Sequence, residues 1–183
     1  MAIETPICDF GKKAPDFKLK STDNKILSLN DIKGENGTLI MFICNHCPYV
    51  KAVTKEIVED CTELQKLGIN AVAICANDAE NYPEDSFENM VKFSNNNKFS
   101  FPYLIDETQN VAKDYGAVCT PDFFGYNNKL ELQYRGRIRE LKDLKPISSG
   151  DSDLLKAMNL IIKTGSGPKN QIPSMGCNIK WAK

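Results

Sequence analysis

The feature that most constrains this chain is a junction. The apolar run Thr38–Ile43 leads without a break into Cys44-Asn45-His46-Cys47-Pro48 and then into a helical pattern. A short, unbroken apolar run suits a strand buried on both faces. From Pro48 onward, Val50, Val53, Ile57, Cys61, Leu64 and Leu67 recur at three- and four-residue steps, and Gly68 can end the helix. Ile69–Ala76 is again a short apolar run. Strand, helix and strand in this order predict parallel pairing through a crossover, and hence a central sheet covered by helices.

The rest of the pattern extends that sheet. Residues 17–29 alternate around Ser21–Asn24 and predict a small hairpin. A helix is expected over Pro83–Ser94, with Pro83 in its first turn, then a strand over Phe101–Ile105 and a short helix over Thr108–Tyr115 that ends at Gly116. Asp122–Tyr126 and Leu130–Arg135 read as a hairpin across Asn127-Asn128. In Asp153–Lys163, Leu154, Leu155, Met158, Ile161 and Ile162 form an inward helical face. Residues 165–183, rich in Gly, Pro, Asn and Ser, read as an irregular C-terminal tail. The expectation is one α/β domain over 1–183, with a central mixed β-sheet flanked by helices and an N-terminal hairpin.

Composition narrows the function classes. The formal net charge of -1 supplies no field to attract nucleic acid or anionic lipid. No stretch approaches the ~20 apolar residues of a membrane helix. The start MAIETPICDFGKKAPDF has no basic segment leading into an apolar core, so a cytoplasmic location is expected. Seven cysteines at irregular spacing fit a disulfide-stapled scaffold poorly, which points to buried, catalytic or metal-binding thiols.

Helix-start chemistry ranks them. Pro48 belongs most comfortably at the first helical position, which makes Cys47 the N-cap. A thiol there faces unpaired amides and the positive end of the helix dipole, and both favour the thiolate. His46 and Lys51 are close enough in sequence to add positive charge. Cys47 is therefore the expected attacking thiolate and Cys44 its nearest disulfide partner. A rival reading has Cys44, His46 and Cys47 hold a thiophilic metal, although His46 is the only histidine and structural zinc usually needs a second ligand pair. Cys61 and Cys75 fall on core positions, Cys8 has no supporting context, and Cys119 is open between a packing and a redox role. Cys177, in the tail, is a candidate resolving thiol, with Trp181 available to anchor the tail on the domain. Asn77-Asp78, after the second strand, is a candidate flank of the site. Thr120-Pro121, just before a strand, is compatible with a cis bond in a tight turn.

Taken together, the thiol motif, Thr120-Pro121 and the element order resemble the thioredoxin fold. More narrowly, Asn45–Lys51, Thr120–Phe124, Tyr134–Ile138 and Gly176–Trp181 resemble the peroxiredoxin-like subgroup of the alkyl hydroperoxide reductase/thiol-specific antioxidant superfamily. The resemblance implies a thiol-disulfide oxidoreductase or an antioxidant peroxidase that needs no cofactor. Its partners would be a disulfide or peroxide substrate and a thiol electron donor such as thioredoxin or glutathione. Pro121 would be a cis-proline facing the active cysteine, leaving the preceding backbone free to pair with an extended substrate. Three departures favour dithiol exchange over peroxide reduction. Cys44 stands where the peroxiredoxin motif has Thr or Ser, residues 38–43 lack its upstream proline, and Cys119-Thr120-Pro121 stands where an arginine that polarises the peroxide is expected. Arg137, or its neighbours Arg135 and Arg139, is a candidate replacement, against the alternative of a solvated edge strand.

Overall fold

The computed structural model describes residues 1–6 and 8–183. Strand β1 (Ala2–Glu4) precedes the hairpin β2 (Lys18–Ser21) and β3 (Ile26–Ser28), which leads into the short helix α1 (Leu29–Ile32). Next come β4 (Gly37–Phe42), the long helix α2 (Pro48–Lys66) and β5 (Ile69–Cys75). A 3-10 turn at Pro83–Asp85 is followed by α3 (Phe87–Asn96), β6 (Tyr103–Ile105) and α4 (Asn110–Tyr115). The chain then forms β7 (Cys119–Thr120), β8 (Asp122–Asn127) and β9 (Leu132–Tyr134). A small ribbon of β10 (Leu141–Lys142) and β11 (Lys145–Pro146) leads to α5 (Asp153–Thr164) and finally β12 (Met175–Asn178).

Seven strands make one mixed sheet in the order β3-β2-β6-β5-β4-β8-β9. Its centre, β6-β5-β4, is parallel, as the crossover pattern requires, and β8 closes antiparallel on β4. The pleat sends alternate residues of β4 to opposite faces. Leu39, Met41 and Ile43 join a core under α2 and α5, whereas Ile40 and Phe42 join a second core with Leu29 of α1 and Ala112 of α4. Both faces are therefore covered, which is why the run from 38 to 43 shows no polar alternation.

Two differences from the sequence reading matter for the site. The helix expected to begin at Pro83 starts later, because Ser86 caps α3 by accepting from the Asn89 amide and leaves Pro83–Asp85 as a separate turn. The tail carries no helix or strand over 165–174 and 179–183, but Met175–Asn178 forms β12 in a second sheet ordered β1-β12-β7. Its register sets Cys177 opposite Thr120 on one side and Ala2 on the other. Among the described residues, no helix is long and apolar enough to cross a membrane.

Candidate active site

Three structural elements converge at the amino end of α2. The strand β4 delivers Cys44, the helix start delivers Cys47, and the sheet β1-β12-β7 delivers Thr120, Pro121 and Cys177. Pro48 occupies the first turn of α2 and Cys47 is its N-cap in extended conformation, as the helix-start argument requires. The Thr120–Pro121 bond is cis.

Both cysteines of the pair are buried, Cys44 at 1% and Cys47 at 0% exposure, so exposure does not distinguish them. Their surroundings do. As a thiol, Cys47 donates to the Thr120 carbonyl at 3.2 Å and makes no side-chain cap bond. As a thiolate it is favoured first by a hydrogen bond from Cys44, then, against the opposing effect of burial, by Cys177 and by the backbone amides of Val50 and Cys177. The balance holds its pKa at about 4, far below that of an ordinary thiol. Cys44 is pushed the opposite way by its hydrogen bond to Cys47, by burial and by the Asp85 carboxylate. Its sulfur also lies 3.3 Å from the Thr120 hydroxyl. Hydrogen bonds from the two neighbouring thiols thus support the charge on the middle one.

The turn between the cysteines is fastened from beneath by a residue that sequence reasoning missed. Asp85, fully buried in the 3-10 turn, accepts from the Asn45 amide at 2.8 Å and from Asn77 Nδ2 at 2.7 Å. Asn45 also donates to the Glu84 carbonyl and accepts from the Tyr103 hydroxyl. The pattern Pro-Glu-Asp gives no hint of this role, since acidic residues after a proline usually mark an exposed first helical turn. Asn77 does flank the site as expected, bridging Asp85 to the Lys180 amide, while Asp78 takes up the Lys180 carbonyl through its own amide.

His46 and Lys51 part company. His46 Nδ1 comes within 2.7 Å of Asp85 Oδ2, although the contact lacks hydrogen-bond geometry, and its ring stacks on Tyr82. It therefore points toward Asp85 and Tyr82, where Cys44 is also close. The Lys51 side chain is exposed on the outer face of α2, so the expected inward turn does not occur. The grouping of metal-donor atoms also differs from the expected set. Cys44, His46 and Asp85 bring one donor each within 4.8 Å of one another, with Asp85 in the place proposed for Cys47.

The arginines occupy distinct positions. Arg135 is buried and paired with Asp122 at 2.9 Å, lies over the Phe124 ring, and donates to the Gly116 carbonyl. Arg135 is thus not on a solvated edge, because Asp122, the residue after Pro121, is a buried carboxylate that needs a counter-charge. Arg137 lines a cavity of about 190 Å³ with Tyr49, Pro121 and Met175, and its guanidinium is held by Asp153 and Glu140. Arg139 binds Glu56.

The remaining cysteines sort by burial. Cys61, Cys75 and Cys119 are buried, and burial raises the pKa of each thiol. Cys8 is half-buried near Arg135. Cys177 is partly exposed. The tail that carries it is anchored less by Trp181, which is 40% exposed, than by buried Ile179. Further anchoring comes from the Ile179 amide, which donates to the Val118 carbonyl, and from the Gln109 side chain, which donates to the Lys180 carbonyl and accepts from the Ala182 amide.

Residues 10–141 match the AhpC/TSA family. The chain is 27% identical over 124 residues to a provisionally named peroxiredoxin bcp of Coxiella burnetii, covering 66% of this chain and 75% of that protein. An uncharacterized conserved protein from Geobacillus kaustophilus superposes with a TM-score of 0.94 at 42% identity, over 100% of this chain and 97% of its own. The thioredoxin domain of a thiol-disulfide oxidoreductase from Bacteroides vulgatus shares the fold, with a TM-score of 0.60 at 16% identity over 70% of this chain and 89% of that one. The architecture is thioredoxin-like.

Proposed function

The chain belongs to the AhpC/TSA family, and from that premise we propose that it is a thiol-dependent oxidoreductase with Cys47 as the attacking thiolate and Cys44 as a resolving thiol. The observation that carries the reading is the place of Cys47 at the N-cap of α2, its sulfur against the Thr120 carbonyl, with the neighbouring Cys44 and Cys177 thiols favouring its charge. Cys47 attacks one sulfur of a disulfide, or one oxygen of a peroxide, and the other half of the substrate leaves with a proton. The product is a mixed disulfide or a sulfenic acid at Cys47. Cys44 then attacks the Cys47 sulfur, expelling the second thiol or water and leaving a Cys44–Cys47 disulfide. An external thiol, of the thioredoxin or glutathione class, restores both. Thr120 and Pro121 position Cys47 through the Thr120 carbonyl, and Arg137 borders the cavity beside Pro121. Function with these thiols reduced fits a cytoplasmic setting.

Peroxide reduction is a second reading, favoured by one observation. Cys47 has no exposed surface, and β12 covers β7 on the side where an extended substrate would pair. A small oxidant is better suited to that site than a protein disulfide.

The test is direct. Alkylation of Cys47 followed against pH is expected to show an apparent pKa well below that of a free thiol (~8.5). Stoichiometric hydrogen peroxide is expected to convert it to a disulfide mapped by mass spectrometry. A Cys47 that titrates like an ordinary thiol and resists the oxidant would overturn the reading.

A further inference from the structure

Resting on that reading, we propose that Cys177 is the outlet of a three-thiol relay, receiving the oxidised Cys47 sulfur and presenting it to the external reductant. Chemistry and access are mismatched at the buried pair. Cys44 and Cys47 are sealed at 1% and 0% exposure, so a disulfide between them offers no sulfur to a thiol from solution. Cys177 is the partly exposed member of the cluster: it pairs opposite Thr120, whose carbonyl takes the Cys47 thiol, and lies close enough to favour charge on Cys47.

Backbone pairing holds it there. Cys177 and Asn178 pair with Thr120 and Cys119, the Ile179 amide continues to Val118, and Ser174 Oγ donates to the Pro121 carbonyl at 2.8 Å. A Cβ on Gly176 would run into the Thr120 carbonyl, so glycine permits the close approach. The chain's own strand thereby occupies the edge beside Pro121. It sets a cysteine against Cys47 much as an extended substrate would, as a permanent part of the fold.

The exchange balances internally. Cys177 adjoins Cys47, so position rather than leaving-group strength decides the first step: Cys177 loses its proton and attacks the Cys47 sulfur of the Cys44–Cys47 disulfide. A Cys47–Cys177 bond forms as the old bond breaks, and Cys44 takes up a proton. No electrons enter or leave. An external thiolate then attacks Cys177, the accessible sulfur, expelling Cys47 and forming a mixed disulfide on Cys177, which a second external thiolate breaks to release oxidised donor and free Cys177. The environment that favours Cys47 as a thiolate makes it the better leaving group, which directs the attack to the outer sulfur. Lys180 adds positive charge near Cys177, which favours an anionic monothiol such as glutathione as the donor.

The experiment compares wild type, Cys177→Ser and Cys44→Ser after one equivalent of hydrogen peroxide, with disulfides mapped by mass spectrometry and re-reduction by glutathione followed in time. Serine at 177 keeps a hydroxyl donor beside Cys47. Cys177→Ser is expected to accumulate the Cys44–Cys47 disulfide and to be re-reduced at least ~10-fold more slowly than wild type. Cys44→Ser is expected to stop at Cys47–Cys177, which glutathione opens. If Cys177→Ser is re-reduced at the wild-type rate, or no Cys47–Cys177 bond forms in Cys44→Ser, the relay is wrong while the Cys44–Cys47 reading stands. A wild-type Cys47 that does not oxidise removes the functional reading and the relay together.

Discussion

Helix α5 begins at Ser152, whose hydroxyl accepts from the Leu155 amide at 2.9 Å and donates to Asp60 at 2.5 Å. Helix α2 begins at Cys47, whose thiol makes no such cap bond. Both start in extended conformation and pack against one another under the same face of the sheet. One helix start uses its orphan amides for folding, since a Ser cap contributes roughly 0.5–2 kcal/mol. The other directs them at a sulfur, where they favour an anion. The same unsatisfied donors stabilise structure when they meet a hydroxyl and create reactivity when they meet an ionisable thiol.

The largest effect that can break this contrast is on activity. Cys47→Ser is expected to lower oxidant consumption by at least ~10³-fold, because a hydroxyl is a far weaker nucleophile than the thiolate it replaces. Urea unfolding of the same variant should stay within about 1 kcal/mol of wild type, since serine is a competent cap. A much larger loss would show the thiol to be structural. Next in size is the effect on ionisation. Cys44→Ala removes the leading hydrogen bond to the thiolate and Cys177→Ala a lesser one, so alkylation of Cys47 against pH should move toward the ordinary thiol range in both, further in the first. The reverse ranking would mean that the outer strand, rather than the inner thiol, sets the charge.

Smaller effects belong to α5. Ser152→Ala should lose about 1–2 kcal/mol in urea unfolding and leave the pH profile of Cys47 in place. A shifted profile would show that the two helix starts are coupled. Asp60 supplies the last test. Burial raises its pKa to about 6 in the folded chain, above the ~3.9 of an unfolded aspartate, so the folded state holds the extra proton between those values. Stability therefore falls as pH rises through that window. Asp60→Asn should flatten the stability curve there. Ser152→Ala, by removing a bond that favours the carboxylate, should extend the window upward.

The start of α2 was legible in the sequence because its signals are local. Pro48, the helical spacing from Val50 and the apolar run before Cys44 each restrict a few adjacent residues, and together they assign Cys47 its cap. The parallel centre of the sheet followed from the same run and from the crossover rule. Asp85 and Asp122 were not legible, because what buries them is distant in the chain: Asn45 for the first and Arg135 for the second. Nor was β12. Met175–Asn178 is four residues long with a glycine and an asparagine, in a stretch rich in Gly, Pro, Asn and Ser, and it becomes a strand only because β1 and β7 supply partners on both sides. Lys51 shows the converse error, since nearness in sequence to Cys47 did not turn its side chain inward.

The small sheet β1-β12-β7 also bears on how the molecule avoids sticking to its neighbours. An uncovered strand edge is a template for pairing with another chain. Here β12 covers β7, β1 covers β12, and the outermost strand is only three residues long. An adduct on Cys177 too large for its place would lift β12 and bare β7 next to the reactive sulfur. Heavy modification of that one thiol would then convert a redox protein into an aggregation nucleus, with the first intermolecular strand pairing expected along Cys119 and Thr120.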